Sequence, residues 1–173
     1  MNDMKNYEFQ FESALGESAS SIWKEIANMP GVNWELGPFI YMTSPEPFRN
    51  KSISDWPTGE SLFRSILLFF RFLPIDIHFF GMKNIGPNAF EEKSSSLVNS
   101  IWEHHRSLFP QSEESVLIRD SVRYSARLPF MGALLFPVYK LVFAHRHKKL
   151  RRKFGEISET VPLRNRAQRL TAL

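Results

Sequence analysis

The sequence predicts an α+β domain in which a curved antiparallel sheet of about six or seven strands wraps around one long C-terminal helix. A first strand-like segment is followed by one or two short helices, about five further strands and a long helical segment. Short connections between consecutive strands indicate an antiparallel meander rather than parallel strands joined by helices. The last helix is apolar almost all round in its first half, so we expect a concave sheet to enclose it. A sheet that curls this far leaves an apolar space in which a ligand can bind.

Composition favours one domain with a large aromatic core. The chain has 173 residues, which is enough for a single domain with a sizeable core, and it contains 16 Phe. So many rings must be buried in a core, a ligand cavity or an interface. The absence of cysteine excludes disulfides and thiolate chemistry, and it fits a cytoplasmic protein. Residues 1–11 lack the apolar block of a secretory signal, and the apolar stretch 128–144 is shorter than the roughly 20 residues of a membrane span.

The first third of the chain predicts a strand, a helix and a long irregular segment. Residues 5–12 alternate aromatic and polar side chains, which is typical of a half-buried strand. Ser18 is the predicted N-cap of the following helix, and Pro30 with the glycine after it is predicted to end that helix. For residues 32–59 we expect a short helix or turn, a short strand near 39–43 and a long loop.

The rest of the chain predicts five strands and the long helix. The strand segments are 62–72, 75–82, 89–93, 97–109 and 116–128. Pro137 suits the first turn of the last helix, which we expect to run to about residue 157. Its first half should be buried on more than one side, and its basic second half, 145–153, should emerge into solvent. Residues 1–160 are therefore the predicted domain, followed by a basic C-terminal tail, 161–173, that we expect to be disordered.

Four segments of the second half carry a family resemblance. They are residues 90–93 with two glutamates, residues 101–109 with Trp102 and His104, residues 116–124 with Asp120 and Tyr124, and residues 141–154. In this order they resemble the START/SRPBCC superfamily, which includes the birch pollen allergen, polyketide cyclases and START lipid-transfer domains, and its bacterial ligand-binding SRPBCC branch in particular. The resemblance implies a helix-grip fold that binds a hydrophobic small molecule or lipid in an internal cavity without catalysis. An alternative is an enzyme of the polyketide cyclase/aromatase or dehydratase type.

Asp120 is a polar residue on an otherwise apolar strand face. A carboxylate beside an imidazole can orient the ring and raise its pKa, which is a basis for general acid–base chemistry. His104 and His105 point to opposite faces of their strand, so the register decides which of them shares a face with Asp120. These three residues are the candidate catalytic groups of the enzyme alternative. The structural alternative is that Asp120 and one histidine satisfy each other inside the barrel.

Ligand-binding residues are expected on the strands and on the inner face of the last helix. The candidates are Phe70, Phe79, Trp102, His104, Asp120, Tyr124, Val138 and Val142. We predict no cofactor and no metal. There is no glycine-rich phosphate loop and no Gly-x-Ser-x-Gly elbow, and His145 and His147 would point about 200° apart on a helix.

The densest basic run lies in the last helix. Its members Lys148, Lys149, Arg151, Arg152 and Lys153 are candidates for contact with an anionic membrane surface. A membrane- or protein-interaction module is therefore a third hypothesis. The alternative is a solvated helix end, because cations are favoured near a helix C-terminus. We expect no nucleic-acid partner, and we expect a monomer or weak homodimer.

Overall fold

The computed structural model describes residues 5–157, and it confirms the predicted fold class, a curled antiparallel sheet with a long C-terminal helix. The seven strands are β1 (Tyr7–Leu15), β2 (Ile40–Met42), β3 (Gly59–Phe69), β4 (Leu73–Gly86), β5 (Ala89–Ser96), β6 (Asn99–Ser112) and β7 (Ser115–Ala126). The helices are α1 (Ala19–Ile26), α2 (Met29–Leu36), α3 (Glu46–Arg49) and α4 (Pro129–Phe154), and one 3-10 turn covers Ile53–Asp55. The strand order is β1-β7-β6-β5-β4-β3-β2, and every neighbouring pair is antiparallel.

The segment after β1 forms two helices where the sequence predicted that one helix ends. Ser18 caps α1 as predicted, its hydroxyl accepting a backbone N–H of the first turn. The prediction that Pro30 ends the helical segment is wrong, because α2 begins one residue before it. The Asn28 side chain caps α2, and Pro30 lies in the first turn, where its missing N–H is not needed. This difference matters for function because α2 carries the buried Glu35.

Alternation along the strands decides which side chains face α4. Strands β1 and β7 pair so that Phe9 lies opposite Val122 and Phe11 lies opposite Asp120. The ring centroids of Phe9 and Phe143 of α4 are 5.3 Å apart, so the inner face of β1 packs directly on the helix. The core therefore lies between the concave face of the sheet and the helices.

Helix α4 begins at Pro129, and the prediction that it begins at Pro137 is wrong. Pro129 occupies the first turn, while Pro137 lies inside the helix, where it removes one backbone donor. The expectation that the first half of α4 is buried on more than one side is also wrong. Phe130 is 67% exposed and Leu141 is 70% exposed. An apolar pattern without a period cannot show which side of a helix faces the sheet, and here a second apolar side faces solvent.

The second half of α4 is more buried than its basic sequence predicts. We expected the whole run 145–153 to emerge into solvent, but Arg146 and His147 are buried. Leu150 and Phe154 belong to the apolar core, so this half of the helix is anchored on the inner side. A buried arginine needs partners, and the carboxylates that it meets are described below.

The predicted basic tail, 161–173, lies outside the described residues. Within residues 5–157 no helix has the length and apolar character needed to cross a bilayer. That finding covers α4, which contains most of the apolar stretch 128–144.

Candidate ligand cavity

A cavity of about 120 Å³ lies between the inner face of the sheet, α2 and α4. Its apolar walls are formed by Met29, Val32, Leu36, Ile40, Met42, Ile53, Trp56, Leu67, Phe80, Met82, Phe90, Trp102 and Val142. Its polar lining consists of Asp76, His78, Glu92, Asn99, His104, Tyr139 and Arg146. An apolar cavity of about 150 Å³ is enough to bind benzene. The space in this protein therefore suits a molecule of about one small ring.

Histidines and carboxylates alternate in a buried chain along one edge of the cavity. Nε2 of His78 lies 2.6 Å from Oε1 of Glu92, and Oε2 of Glu92 lies 3.6 Å from Nδ1 of His104. On its other side, Nε2 of His104 lies 2.7 Å from Oδ1 of Asp120. Both ring nitrogens of His104 thus face carboxylates, and only the imidazolium form can donate a proton in both directions.

Deeper in the protein, the guanidinium of Arg106 joins two buried carboxylates. Nε and Nη2 of Arg106 each donate to Asp120 at 2.7 Å, and Nη1 and Nη2 donate to Glu35 at 2.6 and 2.8 Å. From α4, Arg146 donates to Glu35 at 2.8 Å, and Nε2 of His147 lies 3.0 Å from Asp120. The network therefore links α2, β6, β7 and α4 through charged hydrogen bonds.

The network keeps its carboxylates ionised despite their burial. Burial alone would raise the pKa of Asp120, but the charge and hydrogen bonds of Arg106 outweigh burial and hold that pKa well below its usual range. Burial would also raise the pKa of Glu92, but the hydrogen bond from His104 and the charge of His78 lower it instead. At the polar edge the ionised carboxylates of the network are therefore all engaged by arginine or histidine side chains.

Another polar group on the cavity wall is the pair formed by Asn99 and Tyr139. The Asn99 side-chain amide donates to the Tyr139 hydroxyl at 2.6 Å. Burial raises the pKa of Tyr139 to about 12, so its hydroxyl is neutral near pH 7. Oδ1 of Asn99 is buried and has no hydrogen-bond partner among the described residues. These groups are less completely paired than the charged network.

Strand pairing decides which histidine joins Asp120. Arg106 lies opposite Asp120 in the β6–β7 register, and His104 lies two residues earlier on the same face. His105 points to the opposite face, where it is exposed. In the β5–β6 register Glu92 lies opposite His104. The structure thus brings together His104 and Asp120 of the candidate catalytic set and leaves His105 apart.

Some of the predicted ligand-binding residues lie at or beside the cavity. Those that line it are Trp102, His104 and Val142. Asp120 is fully buried behind His104, in the charged network. Tyr124 is also fully buried, and its hydroxyl donates to the carbonyl of Gly132 at 2.6 Å, so it fastens β7 to the first turn of α4.

The remaining predicted ligand-binding residues point elsewhere. Phe70 and Val138 are 45% and 47% exposed. Phe79 lies between His78 and Phe80 in the sequence of β4 and therefore on the opposite face, where the Arg64 guanidinium stacks on its ring at 5.6 Å. These three side chains lie on the outside of the domain and do not line the cavity.

The basic residues of α4 are only partly free for an external contact. Lys149 donates to the carbonyls of Trp34 and Gly37, and Lys153 pairs with Glu25. Arg151 pairs with Glu156 at 3.2 Å. Lys148 and Arg152 are exposed. Contact of this run with an anionic surface stays a prediction.

Sequence reasoning missed several residues of the charged network. They are Glu35, His78, Glu92, Arg106 and Arg146. A signal for His78 and Glu92 was available, because each lies two residues from a phenylalanine, Phe80 or Phe90, and therefore on the same strand face as that ring. Glu35 carried no such signal, because only a short helix or turn of undefined bounds was predicted for its segment, and no buried face could be assigned to it. Arg146 was hidden in a basic run that is typical of a solvated helix end.

Solved structures with the same fold include proteins of several kinds. A START superfamily protein from Mycobacterium smegmatis matches with a TM-score of 0.60 at 12% identity, over 85% of this chain and 96% of that one. The Zhui aromatase/cyclase from Streptomyces sp. R1128 matches with a TM-score of 0.58 at 8% identity, over 88% and 100%. Norcoclaurine synthase from Thalictrum flavum, in complex with dopamine and hydroxybenzaldehyde, matches with a TM-score of 0.55 at 12% identity, over 88% and 90%. At these identities the likeness shows the fold.

The fold is therefore the START/SRPBCC helix-grip fold that the sequence resemblance implied. No curated protein matches the chain. A family model does match, and it spans residues 13–154, from the end of β1 to the end of α4. Strands β2 to β7 and the long helix lie within this match, and the chain belongs to the family described as Domain of unknown function (DUF8410).

Proposed function

We propose that the protein binds a small apolar molecule, about one aromatic ring in size, in the cavity between the sheet and α4. The observation that carries the proposal is a mainly apolar space of about 120 Å³ with a few polar groups at its edges. Ligand sites have this composition, in which apolar walls supply affinity and a few polar groups orient the ligand. A lipid is disfavoured as ligand, because pockets for larger molecules measure roughly 300–1,000 Å³.

Binding without catalysis is supported by the way the polar edge is engaged. A general base needs a nitrogen or oxygen within hydrogen-bond reach of the ligand. Both ring nitrogens of His104 face carboxylates of the protein, and both carboxylates face cations or histidines in turn. Groups that satisfy one another can shape and polarise a cavity wall, but they have little capacity left for proton transfer.

A structure of the same fold supports the size of the proposed ligand. The norcoclaurine synthase structure holds dopamine and hydroxybenzaldehyde, and each of these molecules has a single aromatic ring. For this chain the proposed ligand size follows from the volume of its own cavity. The other protein shows only that molecules of that size bind within this fold. A cytoplasmic location and a monomeric or weakly dimeric state stay predictions.

Isothermal titration calorimetry with toluene, an apolar molecule with one ring, tests the proposal, with Val142→Phe as the cavity variant. Val142 lines the cavity, so the larger side chain fills the space that the ligand needs. We expect one toluene per wild-type chain and a loss of affinity of about tenfold or more in Val142→Phe, which corresponds to about 1.4 kcal/mol.

Val138→Phe is the matched control. It makes the same substitution one turn earlier on α4, at an exposed side chain that does not line the cavity, so toluene should bind it as it binds wild type. Equal loss in both variants, or tight binding of palmitate with no binding of toluene, would contradict a cavity of one-ring size. Thermal melts of both variants establish that each is folded.

A second candidate function is acid–base catalysis in the same cavity, of the cyclase/aromatase or dehydratase type. The observation that favours it is His78, which lines the cavity and is held by Glu92 at 2.6 Å, the arrangement of a base with an orienting carboxylate. His104 with Asp120 is the corresponding pair deeper in the wall. This function predicts that His78→Ala loses turnover of a cyclisable polyketide-type substrate while it keeps its fold.

A further inference from the structure

A large apolar surface is exposed at one end of the molecule. It is formed by the turn between β3 and β4 and by one side of the first half of α4. We call six of its exposed residues the apolar rim: Phe70, Phe72, Leu73, Phe130, Leu134 and Leu141. Phe72 is 76% exposed, and the least exposed member, Phe70, is still 45% exposed. Phe130, Leu134 and Leu141 recur at helical spacing and therefore form one stripe on α4. Contiguous apolar surfaces of this kind mark interaction sites.

The two parts of the apolar rim are joined by contacts between them. Phe39 packs on Phe70 of the turn with ring centroids 5.8 Å apart, and it packs on His145 of α4 at 5.2 Å. The turn between β5 and β6 lies between the same elements, because the backbone N–H of Leu97 donates to Ile77 and that of Arg127 donates to Val98. The exposed side chains thus form one surface.

The apolar rim lies directly outside the cavity. On α4, Tyr139 and Val142 line the cavity, while Leu141 between them in sequence is 70% exposed. On β4, Asp76 lines the cavity, while the adjacent Ile75 is 47% exposed. The same short segments therefore contribute one side chain to the cavity wall and the next to the outer surface.

The charges around the apolar rim are positive. Arg71 at the tip of the turn, Arg127 before α4 and Lys140 on α4 are all exposed. Within residues 5–157 none of these three cations pairs with a carboxylate, in contrast to Arg119 and Arg123 on the outer face of β7. Arg71 and Lys140 instead lie over the rings of Tyr41 and Phe136. Nε of Arg127 donates to the carbonyl of Ser96 at 2.9 Å. The surface thus combines projecting apolar side chains with cations that have no carboxylate partner among the described residues.

We propose that the apolar rim docks on an anionic lipid bilayer, with its apolar side chains in the interfacial region and the three cations at the headgroups. Apolar side chains flanked by basic residues are what binding to an anionic interface requires. A second copy of the chain fits this surface less well, because a symmetric dimer would bring the unpaired cations of both copies together. Docking here would place the cavity wall beside the bilayer, which would be a source of the apolar ligand if the proposed binding function holds.

Co-sedimentation of the full chain with vesicles tests this proposal. The vesicles are pure phosphatidylcholine, or phosphatidylcholine and phosphatidylglycerol in equal parts. We expect wild type to bind the mixed vesicles, with an affinity that falls as salt is added. The double variant Phe72→Ser/Leu141→Ser should lose about tenfold or more, because each substitution removes an apolar side chain worth more than 1.4 kcal/mol when buried. Arg71→Glu/Lys140→Glu should also release the protein.

Two control variants locate the contact. Phe109→Ser removes an exposed ring near the opposite end of β6, and Lys148→Glu/Arg152→Glu reverses the exposed basic residues of the second half of α4. Both should bind the mixed vesicles as wild type does. The proposal is overturned if wild type binds neither kind of vesicle, or if only Lys148→Glu/Arg152→Glu loses binding. It is also overturned if analytical ultracentrifugation shows that the apolar rim mediates a dimer instead. Because the assay contains no cavity ligand, its result is independent of the proposed binding function.

Discussion

Arg106 is the residue on which the interior of this protein depends most. The residue is 1% exposed, and its guanidinium donates to both Glu35 and Asp120. Burial alone would lower the pKa of Arg106, but the two carboxylates reverse that effect and raise it. Desolvation of such charges is expensive, so the network stabilises the fold only while every member keeps its partners.

Arg106→Met is predicted to destabilise the protein by about 3–5 kcal/mol, because it leaves two buried carboxylates without their shared cation. Urea denaturation measures the change in the free energy of unfolding. Arg123→Met is the control, since Arg123 is an exposed arginine on the neighbouring strand, and it should cost no more than about 1 kcal/mol. Similar losses of unfolding free energy in both variants would show that the buried network contributes no more to stability than an exposed ion pair.

Among the secondary-structure elements, α4 differs most from its prediction. Its existence and its long span were predictable from a local pattern, because apolar residues continue through Phe154. The residue at which α4 begins could not be predicted, since Pro129 and Pro137 are equally acceptable in a first turn and only packing distinguishes them. Packing decides through Gly132, whose carbonyl accepts the Tyr124 hydroxyl and whose Cα lies against the ring of Tyr7.

Gly132→Ala is predicted to destabilise the protein by about 1–3 kcal/mol, although Gly→Ala inside a helix ordinarily stabilises. The added Cβ would lie 2.4 Å from Cε2 of Tyr7, so either the ring or the helix must move. Thermal unfolding measures the effect. A gain in stability would mean that the first half of α4 does not pack on β1. Ala133→Gly, at the exposed neighbouring position, should cost only about 1 kcal/mol through helix propensity.

For the whole molecule, the sequence predicted the fold better than the site. Strand alternation is local, so the order of elements and the place of Asp120 on an apolar strand face could be predicted. The register that puts His104 rather than His105 on that side could not. The charged network could not, because Glu35 and Arg106 are 71 residues apart and nothing local links them. The apolar rim could not be predicted either, since apolar residues that line a cavity and those that face outward look alike in one sequence.

A crystal structure of the protein soaked with toluene shows whether the space behind the apolar rim accepts a one-ring apolar molecule. We expect planar density in the cavity, in contact with Phe80, Trp102 and Val142, and with the charged network unchanged. Toluene found only on the outer surface, or a cavity closed by its own side chains in the presence of toluene, would show that this cavity is not a site for such a ligand.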